Sequence, residues 1–162
     1  KIEVSPDEIV ARLREATGSD ELGYDFYRQY AFNAIIGNSD AHGKNYSVLY
    51  GDGRIQLSPL YDAIPIGLYP DYDQSLIMPV GCADHYRSVR PDDWVDSARE
   101  AQLDPDRVLE IVAGLAAGIL ENIDQTLGAL QVNRGVSEVV EQIKHVAEAQ
   151  ISPRRAAVMP LA

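Results

Sequence analysis

The sequence predicts a mainly α-helical domain that carries a small β-hairpin in its first third. Apolar residues recur at helical spacing before residue 37 and after residue 91. Between them, apolar and polar residues alternate on both sides of a Gly-Asp-Gly turn, which is typical of a hairpin. The chain has 162 residues, of which 46% are hydrophobic, enough for one buried core. We therefore expect residues 1–162 to form a single domain.

Two helices are expected within residues 1–37. Ser5, Pro6 and Glu8 mark the start of the first, because Ser5 and Glu8 have capping-box spacing and proline suits the first helical position. The second covers "LGYDFYRQYAFNAIIGN", where apolar residues follow a helical period and Gly37 is a typical stop. Tyrosines at such spacing usually lie in the core.

Residues 38–62 contain a polar loop and the hairpin, in which Tyr46, Val48 and Tyr50 alternate before the turn at residues 51–53. Residues 63–90 are rich in proline and glycine, so we expect an irregular segment with at most one short strand in "SLIMPVG". A helical bundle should fill residues 91–150, its longest helix opening at Asp104 and carrying an apolar stripe to Leu130. Residues 151–162 are expected to form a tail.

The net charge of −11 argues against direct nucleic-acid binding by this chain, because such binding depends on Lys and Arg neutralising phosphates. The one basic cluster is "HYRSVR", and we expect its Arg87 and Arg90 to pair with Asp92, Asp93 or Asp96. No apolar run approaches the roughly 18 residues of a membrane span, and no signal peptide is evident. With a single cysteine, the composition suits a cytoplasmic protein that has no membrane association.

The loop "IGNSDAHGKNYSVLY" (36–50) concentrates functional groups, since Asp40, His42, Lys44 and Asn45 fall within six residues. Asp40 and Asn45 have the spacing D-x-x-x-x-N, and Asp62 follows the hairpin. Phosphoryl transfer needs a carboxylate near the attacking hydroxyl and oxygen ligands for Mg²⁺ on the nucleotide phosphates. A hairpin that folds Asp62 back beside Asn45 would bring two oxygen ligands together, and Asp40 would be the carboxylate near the hydroxyl.

The same residues also allow a purely structural interpretation. Asn38 and Asp40 could cap a turn after the second helix, Asn45 could make an Asx turn, and Asp62 could cap a short helix. D-x-x-x-x-N is a short pattern that occurs often by chance. Spacing alone leaves both interpretations open.

The full pattern resembles the catalytic core of the HipA-like serine/threonine kinases, the toxins of HipA/HipB toxin–antitoxin systems. The family pattern I-G-N-x-D-x-H-x-K-N matches residues 36–45, and L-[ST]-P-x-Y-D matches residues 57–62. The resemblance covers roughly residues 24 to 130. It implies the C-terminal, helical lobe of a protein-kinase-like fold that transfers the γ-phosphoryl group of ATP to a protein hydroxyl.

The resemblance also implies a role for each matched residue. Asp40 would orient the substrate hydroxyl and accept its proton, while Asn45 and Asp62 would bind Mg²⁺ and, through it, ATP. His42 would contact the transferring phosphoryl group or hold the loop. Lys44 would touch phosphate, brace the loop or simply be solvated.

The partners follow from the same resemblance: a protein substrate, a HipB-like antitoxin and an N-terminal kinase lobe. That lobe would supply the loop over the ATP phosphates and a phosphate-binding lysine, neither of which is evident here. We therefore expect the ATP-binding N-terminal lobe to be absent from this chain and the isolated chain to be inactive. Two alternatives stay open, a lipid or small-molecule phosphotransferase, whose G-D-R-H-x-x-N loop is somewhat similar, and a non-catalytic pseudokinase-like binding lobe.

Overall fold

The structure, a computed structural model, describes residues 4–69, 71–129 and 134–151. Within these residues the fold is mainly helical, as predicted, with two small antiparallel strand pairs and two short 3-10 turns at Gly43–Asn45 and Ile66–Leu68. Leu130, where the predicted apolar stripe ends, and residues 152–162 of the predicted tail lie outside the described residues. The helices and strands are α1 (Pro6–Thr17), α2 (Glu21–Ile36), β1 (Val48–Gly51), β2 (Arg54–Leu57), β3 (Ser75–Val80), β4 (Ala83–His85), α3 (Pro91–Glu100), α4 (Pro105–Ala129) and α5 (Arg134–Ile151).

The first helix begins, and the second ends, at the predicted signals. The backbone N–H of Ser5 donates to Glu8 Oε2 at 3.2 Å, which is one half of the expected capping box. Gly37 ends α2 in the left-handed conformation, with φ of 75°, and its N–H donates to the carbonyl of Ala34. Glycine adopts this conformation without the steric cost that a Cβ imposes. Local chemistry therefore determines where α2 stops and the polar loop starts.

The predicted hairpin is formed by β1 and β2, with Tyr50 opposite Ile55. Asp52 and Gly53 both have positive φ, 49° and 70°, as a two-residue type I′ turn requires. The hairpin returns the chain to α2, where Gln29 Nε2 donates to the carbonyl of Ser58 at 2.8 Å. Asp62 consequently lies close to the loop that precedes the hairpin.

Residues 63–90 contain more regular structure than expected. The strand in "SLIMPVG" is β3, and it pairs with β4, a strand of only three residues. The two are joined through Gly81, where φ is 54° and a Cβ would lie 2.7 Å from the carbonyl oxygen of Asp93. A strand of three residues is too short to show an alternating pattern in the sequence. It is a strand because it pairs with β3.

The core surrounds α2 and is rich in aromatic rings. Phe26 stacks on Tyr30 with ring centroids 5.6 Å apart, and Tyr30 meets Trp94 edge-on at 5.3 Å. The hydroxyl of Tyr27 donates to the carbonyl of Ser97 at 2.8 Å, so this buried polar group is satisfied. The tyrosines of α2 are core residues, as predicted. Four tyrosines outside the helices are instead exposed: Tyr50, Tyr61, Tyr69 and Tyr72.

Helix α5 is attached to α3 by a buried amide. The indole N–H of Trp94 donates to Gln150 Oε1 at 2.9 Å, and Gln150 Nε2 donates to the carbonyl of Val89 at 3.1 Å. Helix α4 packs against α2, α3 and α5, and its Val108 and Val112 are fully buried. Within the described residues no helix has the length and apolar character of a membrane span. Helices α4 and α5 thus both pack against α2.

Candidate active site

The polar loop begins as a tight turn packed onto the protein. Ser39 and Ala41 are buried, whereas Asp40 between them is exposed. Ser39 Oγ donates to the carbonyl of Asp73 at 2.8 Å, and the carbonyl of Ser39 accepts the N–H of Ile77 at 3.0 Å. The turn therefore has a fixed backbone, and the Asp40 carboxylate is accessible to a substrate.

Asn45 and Asp62, which are 17 residues apart, are brought into contact. Asn45 Nδ2 donates to Asp62 Oδ2 at 2.5 Å, and Asn45 Oδ1 accepts the backbone N–H of His42 at 3.1 Å. Asn45 is buried, whereas Asp62 is exposed. The contact holds one carboxylate oxygen of Asp62 beside the loop and leaves the carboxylate open to solvent.

The backbone of Asp62 is strained. Its φ is 56°, in the left-handed region that residues with a Cβ rarely adopt. Such a conformation costs of order 1–3 kcal/mol and persists where surrounding contacts impose it. Strain of this kind is common at functional sites, and here it sets the direction in which the Asp62 side chain leaves the backbone.

Tyr61, which follows the hairpin in the chain, hydrogen-bonds back to the loop. Its hydroxyl donates to the carbonyl of Lys44 at 2.8 Å and lies 2.8 Å from Ser47 Oγ. One hydroxyl can donate once and accept once, so both contacts are compatible. The tyrosine of the L-S-P-x-Y-D match therefore has a physical role, because it ties the second motif to the first.

The other two predicted site residues are placed differently. His42 is half-buried, and its Nδ1 is buried with no hydrogen-bond partner in the described part of the chain. Lys44 is exposed, and its ammonium group forms neither a hydrogen bond nor an ion pair with any described residue. The Lys44 ammonium group is therefore accessible to a ligand, whereas His42 Nδ1 lies below the surface.

The donor set fits a magnesium ion that arrives with a nucleotide. Asn45 Oδ1 retains a second lone pair beside its His42 contact, and the Asp62 carboxylate supplies hard oxygen ligands. No group of three or more His, Cys, Asp or Glu within the described residues could hold a metal alone. Mg²⁺ commonly takes one or two protein ligands and completes its shell with phosphates and water.

The basic cluster does not form the predicted ion pairs. Arg87 Nε donates to the hydroxyl of Tyr86 at 3.0 Å, and Arg87 Nη2 donates to Gln142 Oε1 at 2.9 Å. Arg90 donates to the carbonyls of Arg87 and Val89. That prediction was wrong, because folding places neutral oxygen acceptors from α5 and the local backbone nearer to these guanidinium groups than the α3 aspartates.

Sequence reasoning also missed residues that support the loop. Ser39 occupies the variable position of I-G-N-x-D, so no pattern marks it. Gln29 lies on a helix face that carries no motif. Tyr61 was part of a matched motif, but its contact with Lys44 depends on how the hairpin returns. These residues act through tertiary hydrogen bonds, which a linear spacing does not encode.

Comparison with known proteins decides the family. The model of the HipA-like C-terminal domain matches residues 3–123, well over half of the chain and including the whole loop and hairpin. The chain belongs to the HipA-like C-terminal domain family. Its recognition as HipA-like from the sequence motifs is therefore confirmed.

HipA-like relatives are considerably longer than this chain. The serine/threonine-protein kinase toxin HipA of Shewanella oneidensis is 38% identical over 56 residues, covering 35% of this chain and 13% of the relative. Y4mE of Sinorhizobium fredii is 33% identical over 96 residues, covering 59% of this chain and 23% of the relative. The chain thus aligns with less than a quarter of either relative's length.

A solved structure supports the HipA-like fold. A chain in the complex of the Shewanella oneidensis MR-1 toxin–antitoxin system, containing HipA, HipB and operator DNA, superimposes with a TM-score of 0.75 at 22% identity. The match covers 91% of this chain and 35% of that chain. The prediction of a helical, kinase-like lobe is confirmed at the level of the fold.

Proposed function

We propose that this chain is the C-terminal catalytic lobe of a HipA-like serine/threonine protein kinase, the toxin of a toxin–antitoxin system. It transfers the γ-phosphoryl group of ATP to a protein hydroxyl. The observation that carries the proposal is the 2.5 Å hydrogen bond from Asn45 to Asp62, which joins two separate motifs on the loop that exposes Asp40. The name of the Shewanella relative, a kinase toxin, agrees with it.

Each site residue has a distinct role in this reaction. Asp40, exposed at the turn, orients the acceptor hydroxyl and accepts its proton. Asn45 and Asp62 would hold Mg²⁺, which neutralises charge on the transferring phosphoryl group. The exposed ammonium group of Lys44 contacts the phosphates, and His42, whose Nδ1 is buried, contacts the phosphoryl group or holds the loop.

The lobe requires partners. Residues 1–162 form one domain that supplies the acceptor side of the reaction, and an N-terminal lobe supplies the cradle for ATP. The isolated chain is therefore inactive as a protein kinase. A HipB-like antitoxin is a partner, since the solved relative comes from a HipA–HipB–DNA complex. The substrate is a cytoplasmic protein.

Calorimetric titration of Mg²⁺-ATP, with and without an added N-terminal lobe, tests the proposal. Asp62→Ala should abolish nucleotide binding and transfer, whereas Asp40→Ala should abolish transfer to protein but keep binding. Asp84→Ala, at an exposed position on β4, is the matched control and should behave as the parent.

Transfer should be measured to serine-containing proteins and to lipid headgroups in parallel, with circular dichroism confirming that each variant is folded. Full activity of both Asp40→Ala and Asp62→Ala would exclude the proposed chemistry. Transfer to lipid alone would replace the protein acceptor with a lipid one.

A further inference from the structure

Beneath the candidate active site, a buried chain of side chains links α2 to Asp62, and we name it the amide relay: Tyr46, Asn33 and Asn38. Asn33 Nδ2 donates to the hydroxyl of Tyr46 at 3.0 Å. Asn38 Nδ2 donates to Asn33 Oδ1 at 3.0 Å and also to the backbone carbonyl of Asp62 at 2.9 Å. Asn33 and Asn38 are 1% and 2% exposed.

The relay ends on the strained residue. Asp62 has φ of 56°, and its carbonyl oxygen is the atom that Asn38 binds. Asn45 binds the carboxylate of the same residue. Two hydrogen bonds therefore hold Asp62, one from Asn38 to its backbone carbonyl and one from Asn45 to its carboxylate. Together these contacts determine where the carboxylate lies.

Asn38 has the one side chain of its size that can make both contacts. An amide nitrogen carries two N–H donors, and here each has its own acceptor, Asn33 Oδ1 and the Asp62 carbonyl. A serine hydroxyl donates only once, and an aspartate carboxylate donates not at all. The Asn38 amide itself is 2% exposed and its contact with Asn33 is buried, so losing these donors leaves a buried acceptor without a partner.

We infer that Asn38 is a positioning residue for Asp62: through the amide relay it holds the strained backbone that aims the carboxylate at the metal. The inference rests on the proposed function, in which Asp62 is a ligand. It goes beyond a turn-fixing role for Asn38, because the second donor leaves the turn and reaches a residue 24 positions away.

Asn38→Asp is the sharpest variant. It removes both donors while keeping the size of the side chain. The Asn33 amide can rotate to donate to the new carboxylate, and the Tyr46 hydroxyl can then donate to Asn33, so only the Asp62 carbonyl loses its partner. Asn38→Ala is a second variant that adds no buried charge. Tyr27→Phe is the control, because it removes a buried hydroxyl hydrogen bond from α2 away from the site.

Two readouts on the 162-residue chain decide the question. The first is the NMR signal of the Asp62 carbonyl, together with the through-hydrogen-bond coupling that links it to Asn38 Nδ2. The second is titration with Mn²⁺ together with ATP, followed by broadening of the Asn45 and Asp62 amide signals. Loss of a residue that orients a metal ligand typically weakens metal affinity about 10- to 100-fold.

Both Asn38 variants should shift the Asp62 carbonyl signal and weaken Mn²⁺ binding about 10-fold or more, whereas Tyr27→Phe should keep the parent values. Parent-like Asp62 signals and Mn²⁺ affinity in folded Asn38 variants would overturn the inference. Asp62→Ala separates the two ideas: if it leaves Mn²⁺ broadening unchanged, the proposed metal site fails, while the carbonyl signal still decides whether Asn38 holds Asp62.

Discussion

Replacing Gly37 with alanine should destabilise the protein in two separable ways. Gly37 has φ of 75°, so any Cβ there pays the left-handed penalty of about 1 kcal/mol. That Cβ would also lie 3.0 Å from Cε2 and 3.2 Å from Cδ2 of the Tyr86 ring. Tyr86 is buried, and Arg87 and Gln142 contact its hydroxyl, so the ring has little room to move.

Gly18 provides the matched control. It also ends a helix with positive φ, 68°, but its Cβ would meet nothing within 4 Å. Gly18→Ala should therefore cost about 1 kcal/mol, the backbone penalty alone. Gly37→Ala adds overpacking of about 1–3 kcal/mol, giving roughly 2–4 kcal/mol in total.

Urea unfolding followed by the fluorescence of the single tryptophan measures both values. Gly37→Ala should lower the unfolding midpoint clearly more than Gly18→Ala, with similar slopes. Equal losses in the two variants would refute the reasoning, because they would show that the Tyr86 ring moves aside without cost. A loss in Gly18→Ala alone would contradict the backbone argument as well.

Three further predictions concern other hydrogen-bonded or titratable side chains. Gln150→Leu should lower the free energy of unfolding by about 2–3 kcal/mol and shift the tryptophan emission, because the Trp94 N–H loses its buried acceptor; unchanged emission would contradict this. Burial raises the pKa of Tyr46 to about 12, so the folded state keeps a proton that the unfolded chain releases near pH 10. Stability should fall as the pH rises from about 10 to 12, which denaturation at several alkaline pH values measures, and Tyr46→Phe should remove this part of the loss. The hydrogen bond from Arg107 lowers the pKa of Glu21, so stability from this pair is present above the ordinary glutamate pKa and lost as the pH falls through the lowered value. Arg107→Gln should return the pKa of Glu21 to its ordinary range in an NMR titration, and an unchanged value would refute the pairing.

Much of the candidate site was predictable because its signals are local or ordered along the chain. Gly37 ends a helix by its own conformational freedom, and the Asp52-Gly53 turn returns the strand by its own geometry. These two features place Asp62 near Asn45, and the structure shows them in contact. Their chemical roles stay predictions, as do those of Asp40, His42 and Lys44.

The support beneath the site was not predictable from spacing. Asn38 reaches the Asp62 carbonyl, and Tyr61 reaches the carbonyl of Lys44, across 24 and 17 residues. A backbone carbonyl occurs at every position, so a sequence carries no mark of which one a side chain will bind. Ser39 likewise binds the carbonyl of Asp73 only because the segment after the second motif folds over the turn.

By itself, the sequence determined the helical class, the helix ends, the hairpin and the family, because capping, turn conformation and ordered motifs depend on residues close in the chain or identical in type. Tertiary structure alone decided the pairing of β4 with β3, the acceptors of Arg87 and Arg90, and the grip of Asn38 on Asp62. In each case several hydrogen-bond partners are possible in the sequence. Packing decides which partner is close enough and buried enough to form the bond.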